Sequence, residues 1–265
     1  MAKVSMNMPF TNTMGDFSVY QMEEVDKLII RAKGGPSKTQ IANDPQFERL
    51  RKCQSEFAGA AKAGGSIMHT TKAINHLADH FLIGKLTKIC NLIQKMEVLA
   101  EKGKRPILFS KHGKLLEGMN FNDRKVMDAV LKQLPGFSIS RAERKAMVNF
   151  TELFPGINLF NPWNYPLYRF IVTFGVLQDM ELTPFGYAIT NPAIILNRTQ
   201  VISDWHSSNQ PLAATTFELV LEANTILDAG SNLVLAVGVE FGQYISNLIT
   251  EPVTKAGCGK IIGIG

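Results

Sequence analysis

The sequence is short of cysteine, of long apolar runs and, in its first half, of acid, and each shortage excludes a class of protein. Its three cysteines, Cys53, Cys90 and Cys258, lie far apart with no CxxC pair. That argues against a disulfide framework or a thiolate zinc ribbon, and fits free thiols in a reducing compartment. No stretch approaches the roughly 18–20 apolar residues of a membrane span; the longest candidate, 233–241, has the length of a strand. The opening MAKVSMNMPFTNTMGDF has no apolar segment behind a basic start, so no secretory signal is expected. Synthesis in the cytoplasm is expected, with later release left open.

Catalytic signatures are also missing. Gly257-Cys-Gly-Lys260 ends like a phosphate-binding loop, but Thr254 and Ile261 stand where glycine and a hydroxyl residue are needed. The segment also precedes a strand, whereas such a loop must open a helix to use its N-terminus. His76 and His80 are four apart, with Asp79 between them and His69 upstream. That spacing suits two zinc ligands on one helix face, yet Leu77 follows His76 where a zinc protease carries glutamate. Asp204-Trp-His-Ser-Ser208 sets triad residue types side by side, but triads converge from distant positions, and there is no GxSxG elbow. The expectation is a protein that is not an enzyme, with no cofactor and no metal.

What the sequence does have is charge asymmetry. Residues 1–150 hold 24 Lys and Arg against 14 Asp and Glu, whereas residues 151–265 hold 4 against 9. A split of this size says that the halves face different partners. The basic half suits nucleic acid, an acidic membrane surface or the acidic half of another copy. Between Arg49 and Lys145 there are 19 basic and 8 acidic side chains. Few aromatics are interleaved for base stacking, and no named nucleic-acid module is present.

The periodicity predicts an α+β chain, an N-terminal helical region followed by an antiparallel β-sandwich of about seven or eight strands. Residues 1–36 read as an extended arm ending in a basic turn, 37–105 as the basic helical region and 106–265 as the sandwich. Ser37 and Asp44-Pro45 are helix starts. One helix is expected to run to about Gly64, with the small-residue run 58–65 serving close contact or a break. Another is expected over 66–80, and the clearest over 84–102, capped by Gly103. A short helix is possible within 123–133. A hairpin is expected at 137–140 and 147–152, then strands at 167–176, 193–203, 215–226, 232–244 and 260–264.

The turn Lys33-Gly-Gly-Pro-Ser-Lys38, the segment Arg51-Lys-Cys-Gln-Ser-Glu-Phe-Ala-Gly59 with Lys62-Ala-Gly64, and the late strand around 233–243 resemble one family. It is an uncharacterised group of hypothetical proteins frequent in Bacteroidota, with a K-G-G-P-[ST]-K turn, an N-x-E-F-G-x-x-x-K-A motif and a strand ending near L-G-I-x-F-F-Q. The chain departs from that pattern at Ser55, Ala58 and Gly242. The resemblance spans most of the chain from about residue 30 and implies the helix-then-β layout, but no activity.

Self-assembly is the favoured expectation, as a large homo-oligomer in the form of a helical filament or tube. It rests on the charge split, on an N-terminal arm whose first 20 residues reach about 60–70 Å when extended, and on a C-terminal strand, 260–264, able to pair within or between subunits. The expected contacts are Arg31, Lys33, Lys38, Arg49, Arg51 and Lys52 toward acidic groups, with Phe10 and Phe17 anchoring the arm. The alternative is a nucleic-acid-coating protein that uses the basic helical face.

Overall fold

The computed structural model describes residues 12–14, 17–22, 25–32, 34–189, 191, 197–246 and 249–265. The chain divides into two compact units, Met1–Arg51 and Lys52–Gly265. The division falls at neither 36 nor 105, because helices and sandwich strands share one core.

The first unit is built from an antiparallel meander of β1 (Asn12–Met14), β2 (Phe17–Met22) and β3 (Val25–Ala32). This corrects the expected extended arm over residues 12–32: the alternation is short but sufficient to form paired strands. Helix α1 (Lys38–Asn43) follows, and its start is a full capping box. Ser37 Oγ accepts from the Gln40 N–H at 3.2 Å, and Gln40 Oε1 accepts from the Ser37 N–H at 2.7 Å, satisfying two amides that a helix end leaves open.

Helix α2 (Glu48–Thr70) runs without interruption through its glycines. Gly59 and Gly64 do not break it, and they serve close contact instead. A Cβ on Gly59 would lie 2.7 Å from the Tyr187 ring, and one on Gly64 would lie 3.3 Å from Leu86. The expected second helix over 66–80 is instead the end of α2 followed by a 3-10 turn, Lys72–Leu77. Thr70 and Thr71 hydroxyls donate back to the carbonyls of Ser66 and Ile67, the local competition that ends helices at such residues. Helix α3 (Leu82–Met96) buries Leu82, Leu86, Cys90 and Ile93 along one stripe. Two four-residue helices, α4 (Phe109–His112) and α5 (Met127–Val130), lie farther along.

The β part is two facing antiparallel sheets. In the central one, β6 (Leu167–Gln178) and β12 (Ser231–Tyr244) pair along their length, β13 (Thr250–Ile264) flanks β12, and β9 (Arg198–Ile202) and β10 (His206–Ser207) share the far edge of β6. The second sheet runs β11 (Thr215–Val220), β5 (Lys145–Phe150), β4 (Gly136–Ser140). A hairpin of β7 (Met180–Thr183) and β8 (Gly186–Ile189) stands apart. Among the described residues, eight strands therefore form the sandwich.

The central sheet is covered on both faces, which is why its strands read as near-continuous apolar runs. Phe170, Val172, Phe174 and Val176 of β6, with Leu233, Leu235, Val237 and Val239 of β12, face the second sheet. Ile171, Leu177, Val234 and Ala236 face the helices. On that helical side, glycine replaces bulk under the 3-10 turn. A Cβ on Gly238 would lie 2.7 Å from Leu77 and 2.8 Å from Ile74, and one on Gly257 would lie 2.6 Å from Leu77. The sheet thus carries a glycine-floored furrow into which Ile74 and Leu77 press. The β13 strand is ten residues longer than expected, because the same glycines that make this furrow make 256–259 read as a loop.

Candidate functional site

Polar chemistry concentrates where the furrow ends. Strand alternation puts Glu240 on the face that carries Gly238, two residues beyond it, and Arg169 lies opposite Glu240 in the β6–β12 register. The 3-10 turn places His76 over them. Glu240 is almost wholly buried. It accepts from His76 Nε2 at 2.6 Å through one oxygen and from Arg169 Nε and Nη2 at 2.6 Å through the other. The Arg169 guanidinium sits 4.4 Å from the Trp205 ring centroid, a cation–π contact. Gly242 makes room for that ring, which would lie 2.5 Å from a Cβ there. Burial pushes the Glu240 carboxyl up, but the hydrogen bonds from His76 and Arg169 outweigh it and the net shift is downward.

This arrangement is a latch between the 3-10 turn and the sheet. Both carboxylate oxygens accept from basic side chains, Oε1 from His76 and Oε2 from Arg169. The network ties the 3-10 turn to two strands and satisfies a charge that burial would otherwise penalise heavily. Sequence reasoning missed it. The available signal was one glutamate inside the apolar run 233–241, since a strand buried on both faces must give such a residue a cation.

The other singled-out chemistry disperses. His76 is taken up by Glu240, His80 stacks on Phe81 at 3.7 Å between centroids, and the His69 carbonyl accepts from Arg198 Nη1 at 2.8 Å. Asp79 accepts from the Phe81 and Asp123 amides and from Lys85. Among the described residues no group of three or more His, Cys, Asp or Glu is placed to hold a metal ion. Trp205 and His206 are drawn to different neighbours, Arg169 and Tyr168. Lys260 ends no phosphate loop; it lies in β13 and donates to Asp128 at 2.7 and 2.8 Å. Cys90 and Cys258 are buried thiols pushed up to about 12 by desolvation.

The expected contact residues divide in the same way. Arg31, Lys38 and Arg49 are exposed. Arg51 donates through Nη1 to the carbonyls of Ile41 at 2.7 Å and Asp44 at 2.9 Å, closing the end of α1, and Lys52 pairs with Glu101 at 3.1 Å. Those two serve their own chain. Phe10 and Lys33 lie outside the described residues. The C-terminal strand is internal: Gly265 and Leu233 exchange backbone bonds at 2.8 and 2.7 Å. The outer edge of β13 is partly covered too, since Gly118 and Phe121 donate to Ile261 and Gly259 while Ile261 donates to Met119. Two ion pairs, Lys145–Glu218 and Lys260–Asp128, join residues of the basic and acidic halves within the second unit.

The exposed surface that stands out belongs to the first unit. Phe17 pairs with Ala32 and Val19 with Ile30 across β2 and β3, so these four share one face of the meander. Phe17 is 51% and Ile30 54% exposed. Among the described side chains of Met1–Arg51 none is buried. In the second unit, Glu152, Glu181, Asp204 and Glu222 are exposed and form no ion pair among the described residues. No helix among the described residues is long and apolar enough to cross a membrane.

No family model, no curated protein and no solved structure matches this chain.

Proposed function

We propose that this chain is a self-assembling structural subunit whose copies join through the N-terminal unit into a large homo-oligomer, a filament or tube. The observation that carries this reading is the exposed apolar face of Phe17, Val19, Ile30 and Ala32 on a meander in which no described side chain is buried. Three strands need an apolar face packed on something to be independently stable. Burying Phe17 and Ile30 would contribute about 1.5–3 kcal/mol each. A second copy is the fitting occupant because the cations Arg31, Lys38 and Arg49 are exposed, as are the acids Glu152, Glu181, Asp204 and Glu222, which form no ion pair among the described residues, so that the two sets would complement each other between copies. An arm of one copy docking on the body of the next is a heterologous contact, and such contacts propagate into open assemblies unless they close as a ring.

Negative-stain electron microscopy of the nuclease-treated protein tests this. Regular filaments or tubes from the intact chain, and discrete particles from a Phe17→Asp, Ile30→Asp variant that remains folded, are the expected results. Small particles from both, or unchanged polymers from the variant, would overturn the reading. Polymers that dissolve on nuclease treatment would favour the nucleic-acid-coating alternative.

A further inference from the structure

A second surface, on the second unit, combines exposed aliphatic side chains with lysine in a way that suits neither a protein partner nor a nucleic acid. The stripe that α3 turns away from its core carries Lys88, Leu92, Lys95 and Met96, which recur at helical spacing. Lys88 to Met96 covers about 12 Å of helix. Directly beyond the helix end, the tight turn closed by the Val98 N–H on the Met96 carbonyl at 2.9 Å holds Val98 77% and Leu99 100% exposed. Leu92 and Met96 are each about half exposed. The two acids that follow the helix are both paired, half-buried Glu97 with Lys111 and His112, each at 3.3 Å, and exposed Glu101 with Lys52 at 3.1 Å and Lys104 at 2.8 Å. Their charges are therefore answered locally, and Lys88 and Lys95 give the surface a net positive sign.

We infer that this α3 face and its terminal turn dock on an anionic lipid bilayer surface. The apolar tip of Val98 and Leu99, with Leu92 and Met96 behind it, enters the boundary between headgroups and acyl chains. Lys88 and Lys95 stay at headgroup level, their stems lying along the apolar surface while the ammonium groups reach phosphate or carboxylate. The mixture selects the occupant. Protein interfaces are depleted in lysine at their centres, so lysines interleaved with leucine and methionine are out of place against a second copy. Nucleic acid would answer the lysines but gain nothing from exposed valine and leucine, and the one exposed aromatic at the start of the helix, Phe81, is already against the His80 ring. An acidic membrane rewards both components.

Co-sedimentation of the full chain with lipid vesicles tests the inference. The chain should sediment with phosphatidylcholine vesicles containing about a third phosphatidylserine, bind pure phosphatidylcholine weakly, and be released by high salt. Replacing both Lys88 and Lys95 by Glu should lower partitioning by more than about 25-fold, at about fivefold or more per charge. Val98→Asp with Leu99→Asp should lower it at least about tenfold without moving the thermal midpoint, because both side chains are solvent-exposed. The Phe17→Asp, Ile30→Asp variant should keep its preference for anionic vesicles, which separates this result from the fate of the assembly proposal. Absence of binding to the anionic vesicles, or unchanged binding in both surface variants, would overturn the inference. So would a change of oligomeric mass on Leu99→Asp in the absence of lipid, which would mark the surface as a contact between copies.

Discussion

The two compact units treat similar residues in opposite ways. In Lys52–Gly265, β-branched and aromatic residues of β6 and β12 are fully buried, with Phe170 and Phe174 toward one layer and Ile171 toward the other. In Met1–Arg51, Phe17 and Ile30 sit in a paired sheet just as regular, yet half or more of each faces solvent. Strand pairing is therefore not what distinguishes the units. What differs is whether a second layer exists to cover the strand face. The body carries its own second layers, and the meander has none among its described residues, so its apolar face is completed by another chain in the account proposed above.

That contrast can be broken by mutation. Phe174→Ala, at a fully buried site between the sheets, should cost about 3–5 kcal/mol, read as a shift in denaturant midpoint at unchanged slope. Phe17→Ala in the dissociated protein should change stability by no more than about 0.5 kcal/mol. If the two substitutions cost the same, the first unit has a hidden core and the contrast fails. Glu240→Gln should cost about 3 kcal/mol, because Arg169 and His76 lose the charge that compensates their packing; an unchanged midpoint would show that the latch is decorative. Gly238→Ala should cost about 1–3 kcal/mol by overpacking against Leu77 and Ile74, and Gly34→Ala, with nothing within 4 Å of the added atom, should cost far less.

The pH dependence should be smaller and of definite sign. Burial holds His206 below its ordinary value of 6.5, so the neutral ring is favoured in the folded state. Its contribution is complete above that value and declines as pH falls through it toward the lowered folded pKa. Glu240, net depressed, contributes fully above its ordinary 4.5 and loses its contribution as pH falls further. Stability should therefore decline on the acid side in two stages, and His206→Gln should flatten the first, as followed by thermal unfolding from pH 8 down to about pH 2.

Much of the body was legible because its patterns are local. The Phe137–Ser140 hairpin strand, the 167–176 strand and the α3 stripe all follow from spacing along the chain. Other features required knowledge of what lies across the layers. Gly257 and Gly259 look like loop residues until Ile74, Leu77 and Phe121 press on them, so β13 was foreseen at a third of its length. Gly59 and Gly64 look like helix breakers until Tyr187 and Leu86 occupy their open sides. The 3-10 turn replaced an expected helix because the sheet, rather than helix propensity, decides where Ile74, His76 and Leu77 point. The latch escaped for the same reason: Glu240, Arg169 and His76 come together only through a strand register and a turn distant in sequence.

Hydrogen exchange at increasing protein concentration tests the central claim most directly. The account predicts that amides of Phe17–Met22 and Val25–Ala32 exchange readily in dilute protein and become protected as copies associate, while those of β6 and β12 are protected throughout. Meander amides equally protected at every concentration, or equally unprotected in concentrated protein, would contradict a first unit completed by a second copy.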